Sequence, residues 1–283
     1  MNSSLDCVPC FARHALAVAR AVSDDLVRQE AIVRAALREI AAGSLDQTPP
    51  AMAQRIQRAL RALTADEDPY RVAKAAFQRL ALDMLPGLRR EVERAPDPLA
   101  AAVRIAIAGN VIDLGAYAGL TPEAVRAGFD AVLQEPVVGD VGALRAAIAG
   151  ARRILFLADN AGEIVLDRLL IEQLPTERVI VAVRGAPVLN DATLPEAHEA
   201  GLHELVALMD NGSDAPGTEL ADCSEAFLAR FHEADLIIAK GQGNFESLSD
   251  VEAPIAFLLK VKCPLAAEHA GPPVGTHALI GPR

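Results

Sequence analysis

The second half of the chain alternates short apolar runs with amphipathic segments, and this alternation restricts the fold more than any other feature. The apolar runs all follow residue 150, and they are RILFLAD, RVIVAVRG, HELVALMDNG, ADLIIAKG and APIAFLLKVKCPLAAE. Alternating strands and helices are typical of βαβ units. Their parallel strands are covered on both faces and therefore read as continuous apolar runs. The pattern predicts a Rossmann-like α/β domain with a mainly parallel sheet.

The first half of the chain has a different periodicity. Apolar residues recur there at three- and four-residue spacing, as in CFARHALAVARAVS and DLVRQEAIVRAALREIAAG, which indicates amphipathic helices. Asp or Pro stands near several helix starts and Gly near several ends. We therefore predict a helical domain over residues 1–145 and the α/β domain over residues 146–283.

Charge and hydropathy exclude several classes of partner. The formal net charge of -11 argues against nucleic-acid binding, which needs a basic surface to neutralise phosphates. No apolar run approaches the roughly 18 residues that span a bilayer, and the first residues lack a basic leader before an apolar core. We expect a cytoplasmic protein with neither a nucleic-acid nor a membrane partner. The oligomeric state is left open.

Polar clusters follow four of the predicted strands. They are DNAGE, RGAPVLNDAT, MDNGSDAPGT and KGQGNFESL, in chain order. Open parallel sheets bind their ligands at the carboxyl ends of the strands. We therefore expect the four clusters to meet in one crevice.

The first two clusters supply oxygen ligands for a hard metal ion. Asp159 and Asn160 follow the first strand, and Asp191 follows the second. Carboxylate and carboxamide oxygens suit Mg²⁺ or Mn²⁺, and three protein ligands leave about three octahedral positions for water and substrate. Alternatively, Asp159 and Asp191 are N-caps of the helices that follow them. The residues alone do not decide between these interpretations.

The other two clusters suit an anion. Lys240 ends an apolar strand, and the nearby glycines would let the backbone approach a ligand. Lys240 would balance phosphate charge, and Asn244 would donate to a phosphate oxygen; the alternative is a lysine that faces solvent. Gly212 and Ser213 precede a helix, where backbone amides can form an anion nest or an ordinary turn.

Several further residues are candidates for supporting roles. Glu163 would orient a water molecule or favour the dipole of its own helix. Asn110 and Asp113 are three residues apart, so they share a helical face or mark a helix end. In CVPC, Cys7 and Cys10 could share a face with His14 in a metal or redox site, or could simply begin a buried helix. The chain has no P-loop, dinucleotide fingerprint or nucleophile elbow.

In these motifs the sequence resembles the damage-control phosphatase family, metal-dependent phosphatases long catalogued as a domain of unknown function. The resemblance is to the archaeal and bacterial branch that begins with CxxC. It implies a helical domain packed on a three-layer α/β/α domain, and a divalent metal (Mn²⁺, Mg²⁺, Co²⁺ or Ni²⁺) held by Asp159, Asn160 and Asp191. The matching motifs are CVPC, GNVIDLG, DNAGEIVLD, VRGAPVLNDAT, GSDAPGT, KGQGNFESL and KCPLAAEHAGPPVG.

The resemblance also implies a function and roles for the remaining residues. Lys240 and Asn244 would bind phosphate, and Gly212 and Ser213 would line the crevice. The expected activity is hydrolysis of small phosphomonoesters, such as sugar phosphates or damaged phosphometabolites, with Asp159 acting as a ligand or also as the nucleophile.

Two other functions remain as alternatives. One is an S-adenosylmethionine-dependent carboxyl methyltransferase, an activity also proposed in this family. The second strand ends in Arg184 and Gly185 rather than in the acidic residue expected to hold ribose hydroxyls, which disfavours that activity. The other alternative is a non-catalytic protein that binds a metabolite in the same crevice.

Overall fold

The amino-terminal part of the chain is helical, as predicted. The structure is a computed structural model that describes residues 1–64, 66–110 and 122–282, so Asp113 lies outside the described residues. Local signals explain some helix starts: Asp97 caps its helix by accepting from the amide of Ala100, and Pro98 occupies the first turn. The helices are α1 (Cys7–Val22), α2 (Leu26–Ala42), α3 (Pro49–Thr64), α4 (Arg71–Arg94), α5 (Pro98–Gly109) and α6 (Pro122–Leu133).

The remainder forms a seven-stranded sheet with helices between the strands. The strand order is β1-β7-β6-β5-β2-β3-β4, and every neighbouring pair is parallel except the antiparallel β6 and β7. The elements are β1 (Val137–Val138), α7 (Val141–Gly150), β2 (Ile154–Leu157), α8 (Glu163–Ile171), β3 (Val179–Val183), α9 (Leu194–Glu199), β4 (Ala207–Asp210), α10 (Glu225–Glu233), β5 (Leu236–Lys240), α11 (Gly241–Leu248), β6 (Ile255–Lys260), α12 (Pro264–Ala270) and β7 (His277–Ile280).

The five predicted strands are therefore present, in a mainly parallel sheet. The structure adds β1, a two-residue strand that pairs with β7 inside the stretch predicted to be helical. Two residues are too few to produce a periodic pattern, so no periodicity indicated this strand.

Helices cover both faces of the sheet and make it the central layer. Ile154 and Phe156 pack on one face in a core that also contains α4, α5 and α8. Leu155 and Leu157 alternate to the other face, where they pack with the aromatic rings of α10 and α11. Helices α1–α3 enclose a smaller cluster of their own. This is the expected three-layer α/β/α arrangement, while the domain boundary at residue 145 stays a prediction.

The helices of the described residues, 1–64, 66–110 and 122–282, are too short or too polar to span a bilayer.

The pH dependence of stability should contain a contribution from His277, which is buried at the start of β7. Burial and the charge of Lys260 lower the pKa of His277 below its usual 6.5, against the attraction of Glu135. As the pH falls below 6.5, His277 binds a proton in the unfolded chain before it does so in the folded protein. The stability that neutral His277 contributes above this pH is therefore lost. We therefore expect that lowering the pH from 8 to 5 reduces the free energy of unfolding more in the wild type than in His277→Leu. Urea denaturation at the two pH values measures this difference. A difference independent of pH would contradict this prediction.

Candidate metal and phosphate site

The three predicted metal ligands lie side by side at the carboxyl edge of the sheet. Asn160 and Asp191 form an isolated antiparallel β-bridge, and the amide of Ala192 donates to the carbonyl oxygen of Asp159 at 2.8 Å. All three ligand side chains are buried. The backbone of two adjacent strand ends therefore holds two carboxylates and one carboxamide together.

Neither aspartate serves as a helix cap. The N-cap of α8 is Gly162, which has no side chain to accept a hydrogen bond. The N-cap of α9 is Thr193, in a capping box with Glu196. The structure thus removes the N-cap interpretation of Asp159 and Asp191 and leaves both carboxylates in need of another role.

Two carboxamides fix the orientation of the acidic groups. The Nδ2 of Asn160 donates to Asp159 Oδ2 at 2.8 Å and to Glu163 Oε2 at 2.9 Å. Asn110, at the end of α5, donates from Nδ2 to the same two oxygens, at 2.9 Å in each case. Because Asn160 uses its nitrogen here, its carboxamide oxygen is the atom left to serve as a ligand. Asn110 therefore contacts the site, and it also forms the C-cap of α5, so it marks a helix end as well.

Lys240 neutralises buried carboxylates rather than facing an open crevice. Its Nζ donates to Glu163 Oε1 and Asp167 Oδ1, both at 2.6 Å, and to the carbonyl of Ala106 at 2.9 Å. Burial alone would lower the pKa of Lys240, but the charges of Asp167 and Glu163 outweigh it and raise the pKa. An ammonium has three N–H groups, so phosphate binding by Lys240 stays a prediction that requires it to exchange a partner.

Glu163 has a larger role than the favourable helix-dipole interaction expected of it. It is the first residue of α8, where that dipole favours a negative charge. It is also fully buried, and its two oxygens accept from Lys240 and from the two carboxamides. Glu163 therefore links the ion pair of Lys240 to the orientation of Asp159.

Arg184 is a site residue that was not predicted to be functional, and Asp167 is another. Arg184 follows β3, is 2% exposed, and donates from Nε to Asp191 Oδ2 at 2.6 Å. Its Nη2 lies 3.5 Å from Asp159 Oδ1. The guanidinium thus contacts both predicted carboxylate ligands. A charged residue directly after a buried apolar strand was the available signal, since such a charge needs a partner.

Asn244 is brought to the same cluster by α11. Its Nδ2 donates to the carbonyls of Ala158 and Lys240, at 3.1 and 2.7 Å. Its Oδ1 accepts from Arg184 Nη1 at 3.1 Å and from the hydroxyl of Thr218 at 2.8 Å. Asn244 thereby fixes one arm of the guanidinium, and the direct donation to phosphate that we expected of it stays a prediction.

In the loop after β4, nearby side chains already accept the hydrogen bonds of two backbone amides. The Gly212 amide donates to Asp210 Oδ1 at 2.9 Å, and the Ser213 amide donates to Asn211 Oδ1 at 3.0 Å. The Ser213 hydroxyl donates to Asp222 at 2.7 Å. Anion binding by Gly212 or Ser213 stays a prediction, and it requires these bonds to open.

Helix α3 holds the loops of the crevice from the helical part of the chain. Gln54 donates to Asp222 and Arg58 to Asp214, both at 2.6 Å. Arg61 pairs with Asp214 and donates to the carbonyl of Pro187 at 3.1 Å. These contacts join residues more than a hundred positions apart, so no local pattern could have revealed them.

The charges around the site favour a divalent cation. The buried carboxylates of Asp159, Glu163, Asp167 and Asp191 outnumber by two the buried cations that contact them, Arg184 and Lys240. Burial raises the pKa of Asp159 well above its usual range, and the charges of Glu163 and Asp191 raise it further. Hard oxygen donors and excess negative charge fit Mg²⁺ or Mn²⁺.

A metal ion at this site would need the carboxamide oxygen of Asn160 as a ligand beside the two carboxylates. Among the residues that the structure describes, no group of three His, Cys, Asp or Glu side chains is arranged to hold a metal. Cys7 and Cys10 are free thiols, and Cys10 Sγ lies 3.9 Å from His14 Nε2.

Gly241 should be required for the geometry of Asp159. Its φ is +77°, and a Cβ at this position would overlap Asp159 Oδ2. Gly241→Ala should therefore displace the carboxylate and add about 1–3 kcal/mol of backbone strain. Gly87→Ala, inside α4 with open space around it, is the matched control and should stabilise by about 0.4–1 kcal/mol. Urea denaturation compares the two, and equal effects would contradict this reading of Gly241.

Comparison with known proteins gives a consistent set of matches. A family model described as the damage-control phosphatase ARMT1-like domain matches residues 3–278. A damage-control phosphatase of Pyrococcus horikoshii is 31% identical, with 97% of this chain and 96% of the relative covered. A damage-control phosphatase of Archaeoglobus fulgidus is 35% identical, with 79% of each chain covered.

Two further matches extend over the whole length of the chain. An uncharacterized protein of Methanocaldococcus jannaschii is 35% identical, with 97% of this chain and 94% of the relative covered. The crystal structure of a DUF89 family protein from Pyrococcus horikoshii superimposes with a TM-score of 0.90 at 29% identity, and each chain is fully covered.

Proposed function

This chain belongs to the ARMT1-like damage-control phosphatase family, and we propose that it is a metal-dependent phosphatase that hydrolyses small phosphomonoesters. The observation that carries the proposal is the juxtaposition of Asp159, Asn160 and Asp191 at the carboxyl edge of the sheet, within a cluster of excess negative charge. The relatives named damage-control phosphatases support a phosphatase role in general.

The protein residues hold and orient the reacting groups. Asp159, Asn160 and Asp191 would bind a divalent ion, which when bound supplies a Lewis acid for a phosphoryl oxygen and a template for the nucleophile. Asn110 and Asn160 hold Oδ2 of Asp159 in place. Lys240 donates to one oxygen of the neighbouring Glu163, and the other oxygen of Glu163 accepts both carboxamides.

The proposed substrates are small phosphorylated metabolites, with sugar phosphates and damaged phosphometabolites as the classes to examine. A chain with a formal net charge of -11 repels anions over most of its surface. Its phosphate site must therefore supply positive charge locally, and Arg184 together with the bound divalent ion would supply it. We propose neither a nucleic-acid nor a membrane partner.

Phosphate release by metal-stripped protein tests the proposal. The substrates would be p-nitrophenyl phosphate and a panel of sugar phosphates, each with and without Mn²⁺, Mg²⁺, Co²⁺ or Ni²⁺. We expect turnover only in the presence of a metal. Turnover that survives chelation would refute the metal dependence, and an absence of turnover with every metal and substrate would refute the phosphatase assignment.

A further inference from the structure

The position of Arg184 raises a question about charge. Its guanidinium contacts Asp191 Oδ2 and Asp159 Oδ1, the two carboxylates that we assign to a metal ion. An arginine keeps its proton at any ordinary pH, so this positive charge is permanent. A divalent cation and Arg184 would therefore compete for the same two carboxylates.

Unpartnered hydrogen-bond donors flank Arg184. Its Nη2, the Nδ2 of Asn190 and the Nδ2 of Asn211 are buried, and in the described part of the chain none of them has a hydrogen-bond partner. Asn190 precedes Asp191 in the chain, and Asn211 accepts the amide of Gly185, the residue after Arg184, at 3.0 Å. A buried donor without a partner costs about 1–3 kcal/mol. An anion beside the guanidinium would satisfy Nη2 of Arg184, and the two asparagines are candidates for further donors to it.

The guanidinium is anchored so that one arm can change partner. Nη1 is held by Asn244 Oδ1 at 3.1 Å and by Thr218 Oγ1 at 3.4 Å. Nη2 has only the 3.5 Å approach to Asp159. Arginine can then present its remaining N–H groups to phosphate oxygens in charge-assisted hydrogen bonds.

We infer that Arg184 is a counter-ion that couples the metal site to an anion site. Arg184 pairs with Asp159 and Asp191 in the metal-free protein, and it binds a phosphate oxygen when a divalent cation takes over the charge of these carboxylates. Asn190 and Asn211 supply further donors to the same anion. This inference rests on the proposed function, and it assigns phosphate recognition to donors other than Lys240.

Calorimetric titration with Mn²⁺ and with inorganic phosphate tests this role at pH 8. The variants are Arg184→Gln, which removes the charge, and Arg184→Lys, which keeps the charge but loses the planar, two-armed donor group of the guanidinium. Arg168→Gln is the matched control, because Arg168 is also ion-paired and largely buried but lies on α8 against Glu172. Circular dichroism establishes that each variant is folded.

The inference predicts shifts of opposite sign in Arg184→Gln. Mn²⁺ alone should bind about tenfold more tightly, and phosphate at saturating Mn²⁺ should bind about tenfold more weakly. Arg184→Lys should bind Mn²⁺ with an affinity within about threefold of the wild type, and it should bind phosphate more weakly than the wild type. This variant tests the planar donor arrangement of the guanidinium even if Arg184→Gln does not fold. Arg168→Gln should match the wild type.

Other outcomes separate this inference from the proposed function. If the wild type binds Mn²⁺ and releases phosphate from substrates, but both affinities fall together or neither changes in the Arg184 variants, the coupling role is wrong and the phosphatase assignment stands. If the wild type binds no Mn²⁺, the proposed metal site fails and the coupling role fails with it.

Discussion

Replacing Lys240 with methionine is expected to lower the free energy of unfolding by about 3–5 kcal/mol, since it leaves buried charges without their partner. Glu163 and Asp167 are both fully buried, and the ammonium of Lys240 lies 2.6 Å from an oxygen of each. The substitution also removes the donor to Ala106, which ties the end of β5 to α5. Urea denaturation of the metal-free protein measures the loss.

Lys74→Met is the matched control for this prediction. Lys74 is also buried, and its Nζ lies 3.1 Å from Asp68 and 3.0 Å from Glu196. Those two carboxylates are 15% exposed, so solvent can stabilise them after the lysine is lost. Lys240→Met should therefore cost more stability than Lys74→Met. An equal or smaller cost would show that the buried carboxylates beside Lys240 are neutral or find other partners.

Asp159→Asn and Asp191→Asn should each lower metal-dependent turnover by more than about 100-fold, because changes to the groups around a metal ligand already cost 10- to 100-fold. Stability should move the other way in Asp159→Asn. Burial raises the pKa of Asp159, and the charges of Glu163 and Asp191 raise it further, so a neutral carboxamide removes a desolvation cost and like-charge repulsion from the metal-free protein. Turnover rates and thermal unfolding of the same preparations measure the two effects.

Asp235→Asn is the control for these substitutions. Asp235 is exposed and accepts the amides of Arg152 and Arg153, just before β2 and therefore at the opposite edge of the sheet from the site. It should leave turnover unchanged. Turnover retained by both Asp159→Asn and Asp191→Asn would show that neither carboxylate holds an essential metal.

The strands were predictable because the sheet is parallel and buried on both faces. Every residue of β2 and β5 is buried, so each strand appears in the sequence as a continuous apolar run. The placement of Asp159 and Asp191 followed from the same geometry, since the carboxyl ends of adjacent parallel strands meet at one edge. The strand β1 was missed because it is only two residues long and owes its conformation to pairing with β7.

The partners of each charged side chain were harder to predict than the place of that side chain in the fold. Lys240 was predicted to balance the charge of a phosphate, but its acceptors Glu163 and Asp167 lie on α8, more than seventy residues earlier. The two acidic residues are one helical turn apart on α8, where most of the other residues are apolar, and this spacing is a signal that could have been used. The contacts of Arg184 depend on how two loops meet, and the spacing of residues along the chain does not contain that information.

Bound manganese is the decisive measurement for the proposed metal site. Metal-stripped wild type and a double variant, Asp159→Asn with Asp191→Asn, would be dialysed against Mn²⁺, and bound manganese would be measured by plasma mass spectrometry. The account predicts about one manganese ion per wild-type chain and less than about a tenth of that in the folded double variant. Equal manganese in the two proteins, or none in the wild type, would contradict the assignment of Asp159, Asn160 and Asp191 as a metal site.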